Sequence, residues 1–218
     1  MPMTRRAAPA LAVIAAALAA LLIGALVAAS PAAAAKKPRV TLIGDSITAS
    51  FAYVPAATRL LGAGLDLRVD AKVCRRLVDA SCSYRGSTPL TALELVRSRG
   101  SALGRVVILH VGYNEGSAGY AKDLDATMKA LRRAGVVSVI WVTLREQRSV
   151  YASTNGAIRA APRRWKGLRV VDWNAASRGR PWFGSDGLHL NSAGAKGLAR
   201  LLRPQVLQAV AQSRSRPG

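Results

Sequence analysis

The sequence predicts an α/β domain: a parallel sheet of about five strands with helices on both faces. Two observations carry this expectation. Short runs rich in β-branched residues alternate with longer amphipathic stretches, and Gly and Pro fall mostly between them. The polar residues best suited to chemistry also follow the apolar runs, at the edge where open α/β sheets place their working groups.

The strands come first. Residues 39–43 (Arg39, Val40, Thr41, Leu42, Ile43) form a buried strand ending at Gly44. Residues 65–73 alternate apolar and polar, with Leu65, Leu67, Val69, Ala71 and Val73 on one face. Residues 105–111 and 136–144 are continuous apolar strands, the latter introduced by Gly135, and 168–173 is a shorter fifth. Helical patterns lie between them. Residues 48–61 join the first two strands; 88–98 carry Leu90, Leu93 and Val96; 120–134 place Leu124, Met128 and Leu131 on one face. Residues 149–165 are less regular and only partly helical. A last amphipathic helix spans 192–212 with Ser192 as its expected N-cap, leaving 213–218 as a frayed tail. There is no internal repeat.

Residues 1–35 read as a targeting segment. Arg5 and Arg6 precede an Ala/Leu/Val-rich run from Ala7 to Ala29, and Ala33-Ala34-Ala35 fits an A-x-A cleavage site. An uncleaved membrane anchor is the alternative, since about 20 apolar residues span a bilayer. Either reading places the domain outside the cytoplasm. The two cysteines, Cys74 and Cys82, have seven residues between them and would staple a local loop in an oxidising compartment, the alternative being two free thiols. No histidine lies nearby, so no metal site is expected.

With 32 Lys and Arg against 11 Asp and Glu, the formal charge is +21. Attraction to an anionic cell-wall surface fits this charge, and so does an Arg- and Ala-rich coding bias. The basic residues are scattered and no nucleic-acid-binding motif accompanies them, so no nucleic-acid partner is expected.

Ser46 sits in Gly44-Asp45-Ser46-Ile47-Thr48, at a strand-to-helix turn where a substrate could reach its hydroxyl. Backbone N–H groups at the following helix start would favour developing negative charge. Taken alone, Asp45 or Ser46 could equally be an ordinary helix cap. His189 lies in a polar loop before the last helix, and Asp186 three residues earlier can meet its imidazole across a turn that Gly187 permits. That pairing suits a general base whose tautomer is fixed by a carboxylate. His110, inside an apolar strand, is a core or near-site residue rather than the base. Asn114, after Gly112 and Tyr113, offers a carboxamide donor for an oxyanion.

These blocks, in this order, resemble the SGNH (GDSL-like) hydrolase family. Gly44-Asp45-Ser46 matches its first block, Gly112-Tyr113-Asn114 its third and Asp186-Gly187-Leu188-His189 its fourth. The resemblance covers nearly all of residues 36–212. It implies a flavodoxin-like three-layer α/β/α sandwich and a catalytic triad of Ser46, His189 and Asp186. The oxyanion hole would comprise the Ser46 backbone N–H, the Asn114 side chain and a second-block backbone N–H. The family places a glycine in that second block; here Cys74 ends the second strand, with Gly86 as the competing position. If Cys74 fills it, a Cys74–Cys82 disulfide stiffens the oxyanion loop. The third block ends in Glu115 where the family usually has Asp, implying a shifted loop hydrogen bond.

The resemblance further implies an esterase without cofactor, acting on a small-molecule, lipid or carbohydrate ester; a monomer is expected. Gly112, Trp182 and Phe183 are the expected pocket residues. The second-block stretch resembles exported peptidoglycan O-acetyltransferase domains, which keeps acyl transfer to a wall sugar beside hydrolysis. A non-catalytic wall-binding protein is the third reading.

Overall fold

The computed structural model describes residues 36–116 and 118–215. The targeting segment at 1–35 and the last three residues of the expected tail lie outside the described residues. Five strands, β1 (Arg39–Gly44), β2 (Asp66–Ala71), β3 (Val106–His110), β4 (Ser138–Val142) and β5 (Leu168–Val171), form one sheet. All neighbours pair in parallel, in the order β2-β1-β3-β4-β5. This is the flavodoxin-like order, and it puts Gly44 opposite both Ala71 and His110 at the carboxyl edge.

Helices α1 (Ser50–Tyr53), α2 (Pro55–Gly62), α3 (Ala92–Arg99), α4 (Tyr120–Arg133), α5 (Ser149–Ala160), α6 (Trp173–Ser177) and α7 (Ser192–Arg214) flank the sheet. Because strand side chains alternate, Ile43, Leu109 and Trp141 face one core with Val96 of α3, Leu124 and Met128 of α4 and Ile158 of α5. Leu42, Ile108 and Ile140 face the other, with Leu61 of α2 and Leu198, Leu202 and Val206 of α7. Each such fully buried aliphatic side chain contributes about 1.5–3 kcal/mol relative to exposure. Burial on both faces explains why the central strands read as continuous apolar runs.

Four boundaries differ from the sequence expectation. The helix expected over 48–61 is interrupted: residues 46–49 form a turn, α1 has four residues, and Val54 leaves helical geometry (φ −124°, ψ 75°) before Pro55 starts α2. Proline disfavours helical backbone in the residue before it and is welcome at a first helical position. α3 starts at Ala92, four residues later than expected. Thr91 Oγ1 accepts from the Glu94 N–H (3.1 Å) while Glu94 Oε2 accepts from the Thr91 N–H (2.8 Å), a reciprocal cap. The N-cap of α7 is Asn191 rather than Ser192, its Oδ1 accepting from the Gly194 N–H (2.9 Å). α7 runs through Arg214, so residues 213 and 214 belong to the helix and not to a frayed tail. α5 is regular from Ser149 to Ala160 and closes in a short 3-10 turn.

Candidate active site

Ser46, Asn114 and His189 come from loops that leave three different places at the carboxyl edge of the sheet. The turn after β1 is set by Asp45, which is fully buried. Its Oδ1 accepts from the Ile47 N–H (3.1 Å), and its Oδ2 from the Gly112 and Tyr113 N–H groups (3.2 Å each). Burial pushes the Asp45 carboxyl up to about 6, against the lowering effect of those three hydrogen bonds. One side chain thus fixes the Ser46 turn and ties it to the loop after β3. Below it, Thr48 Oγ1 meets Nδ1 of the buried His110 at 2.8 Å. Burial holds His110 down to about 3, so it stays neutral in the fold.

Ser46 itself is half-buried, and His189 Nε2 stands 3.1 Å from its Oγ. His189 Nδ1 stands 2.5 Å from Asp186 Oδ2. The other Asp186 oxygen accepts from the Leu188 and His189 N–H groups (2.9 and 3.0 Å), so the turn through Gly187 (φ 65°) is closed by the same carboxylate. The hydrogen bond with His189, then those backbone donors, hold the Asp186 carboxyl down at about 2. The loop is anchored by Asn191 Nδ2, which donates to the Pro181 and Phe183 carbonyls (3.1 Å each). Serine, imidazole and carboxylate therefore lie in one line of hydrogen bonds, with His189 and Asp186 side chains 52% and 50% exposed.

The second-block loop carries the feature most specific to this chain. Cys74 is one of two non-glycine residues with positive φ among those described (φ 69°), and it is bonded to Cys82. The backbone at Cys74 thus takes the left-handed conformation that glycine adopts most readily. The other residue is Arg85 (φ 50°), which with Gly86 (φ 75°) turns the chain between the bridged Tyr84 and Ser87. Gly86 is engaged in that turn and not at the end of β2. Neither the Ser46 nor the Cys74 N–H donates a hydrogen bond among the described residues.

Further groups hold this loop in place. Asn114 Nδ2 donates to the Arg75 carbonyl (3.0 Å), which orients its second amide hydrogen. Glu115 Oε1 accepts from the Leu77 N–H (2.6 Å) and its Oε2 from Arg76 Nε (3.3 Å). Glu115 thus ties the loop after β3 to the Cys74 loop, and burial raises its carboxyl above the usual range.

No family model matches the chain. It is 30% identical over 168 residues to the O-acetyltransferase OatA of Staphylococcus aureus, a match covering 77% of this chain and 25% of that protein. The chain thus spans about a quarter of the length of the curated relatives it matches. A carbohydrate acetylesterase family member from Sinorhizobium meliloti superposes with TM-score 0.62 at 15% identity, covering 79% of this chain and 99% of that one. A protein assigned as an arylesterase from Agrobacterium tumefaciens gives 0.55 at 14% identity, with coverages of 78% and 99%. At such identities the structural likeness establishes the fold. The chain shares the parallel α/β fold of these two proteins.

Within this fold, Gly112 and Trp182, both expected in the pocket, make packing contacts. Gly112 is buried, and a Cβ there would meet Leu144 Cδ1 at 2.9 Å; its role is close packing and donation to Asp45. Trp182 stacks on the buried Trp173 (centroids 5.4 Å apart, planes 9° apart) and lies against Gly197 of α7. It is a core contact. Phe183 is half-buried beside Trp173, with the Arg145 guanidinium 3.8 Å above its ring. The expected effect of a helix start at Ser46 also falls away, because α1 begins four residues later and the Ile47 N–H already serves Asp45.

One site-supporting residue escaped the sequence reading: Arg75, a fully buried cation. Its guanidinium donates to Leu90 O (2.9 Å), Gly44 O (3.4 Å), Asp70 Oδ1 (2.8 Å) and the Asp70 carbonyl. It braces the ends of β1 and β2 under the Cys74 loop. Asp70 is one of two aspartates at the polar positions of β2, so nothing local in the sequence marks it as the partner of an arginine five residues on.

Proposed function

We propose that the protein is an exported serine esterase that cleaves O-acyl esters, acetyl or short-chain, through a Ser46–His189–Asp186 triad. The observation that carries the proposal is the continuous hydrogen-bonded line from Ser46 Oγ through His189 to Asp186. In this reading His189 Nε2 takes the Ser46 proton as Oγ attacks the acyl carbon, and Asp186 stabilises the imidazolium that results. The oxyanion is met by the Ser46 N–H, the Cys74 N–H and the Asn114 carboxamide. Collapse expels the alcohol, which takes the proton back from His189. Water then resolves the acyl-enzyme by the same steps in reverse order. The Cys74–Cys82 disulfide and the N-terminal sequence support export.

The carbohydrate acetylesterase and O-acetyltransferase likenesses support an acyl group on a sugar oxygen, which on an exported protein points to cell-wall carbohydrate. Transfer to a sugar hydroxyl in place of water is the second reading, favoured by the acetyltransferase relative.

Short-chain nitrophenyl esters test the proposal. Wild-type protein should turn them over, and Ser46→Ala and His189→Ala should each lower kcat by about 10⁴ or more. Equal turnover by all three would end the enzyme reading. Product analysis with a sugar acceptor separates hydrolysis from transfer.

A further inference from the structure

The loop after β4 was silent in the sequence reading, yet it is bonded to both catalytic loops. Arg145 N–H donates to Tyr113 Oη (2.6 Å), next to Asn114, and Gln147 Nε2 donates to Gly187 O (2.5 Å), inside the Asp186–His189 turn. Beside it opens a cleft of about 210 Å³ lined by Arg145, Gln147, Asn174 and Arg178, with Glu146 at its wall.

The charges there are lopsided. Arg145 and Arg178 have no carboxylate partner among the described residues. The nearby acids are already occupied: Glu146 Oε1 is held by Asn155 Nδ2 (2.8 Å) and Arg159 (3.5 Å), Asp172 by Arg159 and Thr143, and Asp186 by His189. Arg145 is also held in position. Its backbone is tied to Tyr113 and its guanidinium carbon sits 3.8 Å over the Phe183 ring, while no guanidinium N–H makes a hydrogen bond among the described residues.

We infer that this cleft is an anion subsite, in which Arg145 and Arg178 bind a carboxylate or phosphate on the alcohol portion of the ester. The inference rests on the esterase reading and narrows it: the substrate is an acylated, negatively charged alcohol. An uncharged acyl group at Ser46 leaves only the alcohol side to carry that charge into a cleft flanking the His189 loop. A guanidinium fork matches either oxyanion bidentately, so the two sources must be separated by experiment.

The test uses three aryl acetates that differ in one group: phenyl acetate, 4-acetoxybenzoate and 4-acetoxyphenyl phosphate. The quantity read is kcat/KM for each anionic ester divided by that for phenyl acetate within the same variant. Arg145→Gln and Arg178→Gln should each lower this ratio by about fivefold, mainly through KM, with the larger loss on the arm that matches the natural anion. Arg97→Gln removes an equal charge from α3, far from the cleft, and should leave the ratio in place. An unchanged ratio in both cleft variants, or an equal fall in Arg97→Gln, overturns the subsite.

If none of the three esters is turned over, the esterase reading has failed, and the subsite is then judged by binding alone. Titrating ¹⁵N-labelled protein with methyl phosphate and with acetate should shift the backbone amides of Arg145, Gln147 and Arg178. The shifts should weaken in Arg178→Gln. Their absence, or shifts spread evenly over surface arginines, overturns the subsite independently of activity.

Discussion

The left-handed backbone at Cys74 makes a prediction in which chemistry and stability can be separated. Two double variants both remove the disulfide: Cys74→Ser/Cys82→Ser and Cys74→Gly/Cys82→Ser. The cysteines are eight positions apart. Closing so short a loop removes unfolded-state entropy worth about 2.5 kcal/mol, and both variants lose this. They differ at φ 69°. Serine there carries a Cβ penalty of roughly 1–2 kcal/mol, which glycine avoids. Glycine gives back about 0.5–1 kcal/mol by loosening the unfolded chain. The Gly variant should therefore be the more stable of the two by about 0.5–1 kcal/mol, read from urea midpoints. In turnover the ordering should be the same. The Ser variant can relax out of the left-handed region and carry the Cys74 N–H away from the oxyanion, lowering kcat by about tenfold, less than outright loss of a donor. The Gly variant should recover most of that. Equal midpoints and equal turnover in the two variants would mean that the Cys74 conformation constrains nothing, and Cys74 would lose its place in the oxyanion hole.

Three further outcomes follow from the geometry. Asn114→Ala should lower kcat by about 100-fold with little change in KM, because the lost donor serves the transition state more than the bound ester; a pure KM effect would refute its oxyanion role. Gly44→Ala places a Cβ 2.6 Å from Thr48 Cβ, and Thr48 is pinned to His110, so a loss of about 1–3 kcal/mol and a displaced Ser46 turn are expected in denaturation and ester assays. His110 and Asp45 should oppose one another in pH dependence. Between about pH 4 and 6 the unfolded state binds a proton at His110 that the fold excludes, so stability rises with pH. Over the same window the fold keeps a proton at Asp45 that the unfolded chain has lost, so stability falls. His110→Gln removes the first slope. Measured by denaturation, its stability should fall relative to wild type by about 2–3 kcal/mol on going from pH 4 to 6, and parallel profiles would contradict a neutral buried His110.

The sheet was legible because its central strands are buried on both faces, which forces the runs through Leu42, Ile108 and Ile140 to be continuously apolar. That Ser46, Asn114, Asp186 and His189 gather at one edge was legible because topology alone sends the loops after parallel strands there. What escaped depends on contacts between distant segments. Trp182 read as a pocket aromatic because its slot is made by Gly194 and Gly197, three residues apart on one face of α7, where a Cβ would meet Trp182 in both cases. Gly112 read as a pocket glycine, and its real constraint is Leu144 on the neighbouring chain segment. The helix expected from Thr48 failed at a local signal that was present, Pro55, whose effect on Val54 outweighed the apolar pattern. Arg75 is the hardest case: a buried guanidinium is visible in sequence only if its acceptors are known, and three of the four are backbone carbonyls.

The supporting polar groups explain how so open a line of Ser46, His189 and Asp186 can stay aligned. Each loop at the site is held by a side chain from another. Asp45 accepts from the loop after β3, Asn114 and Glu115 of that loop hold the Cys74 loop, Arg75 of the Cys74 loop returns to Gly44, and Gln147 clasps the His189 turn. Rigidity is thus built beneath and around these three residues, while half of each of the His189 and Asp186 side chains faces solvent. In the proposed mechanism, a site arranged in this way would not exclude water from an acyl intermediate by enclosure. Water and a sugar hydroxyl would both reach Ser46, so the partition between hydrolysis and transfer would depend on how long an acceptor stays beside His189. The arginine-lined cleft includes Gln147, which donates to Gly187 in the His189 turn, and on the subsite proposal an anionic acceptor held there would compete with water by local concentration rather than by occlusion. On this reasoning the transfer-to-hydrolysis ratio should rise with an anionic sugar acceptor over a neutral one, and Arg178→Gln should lower it.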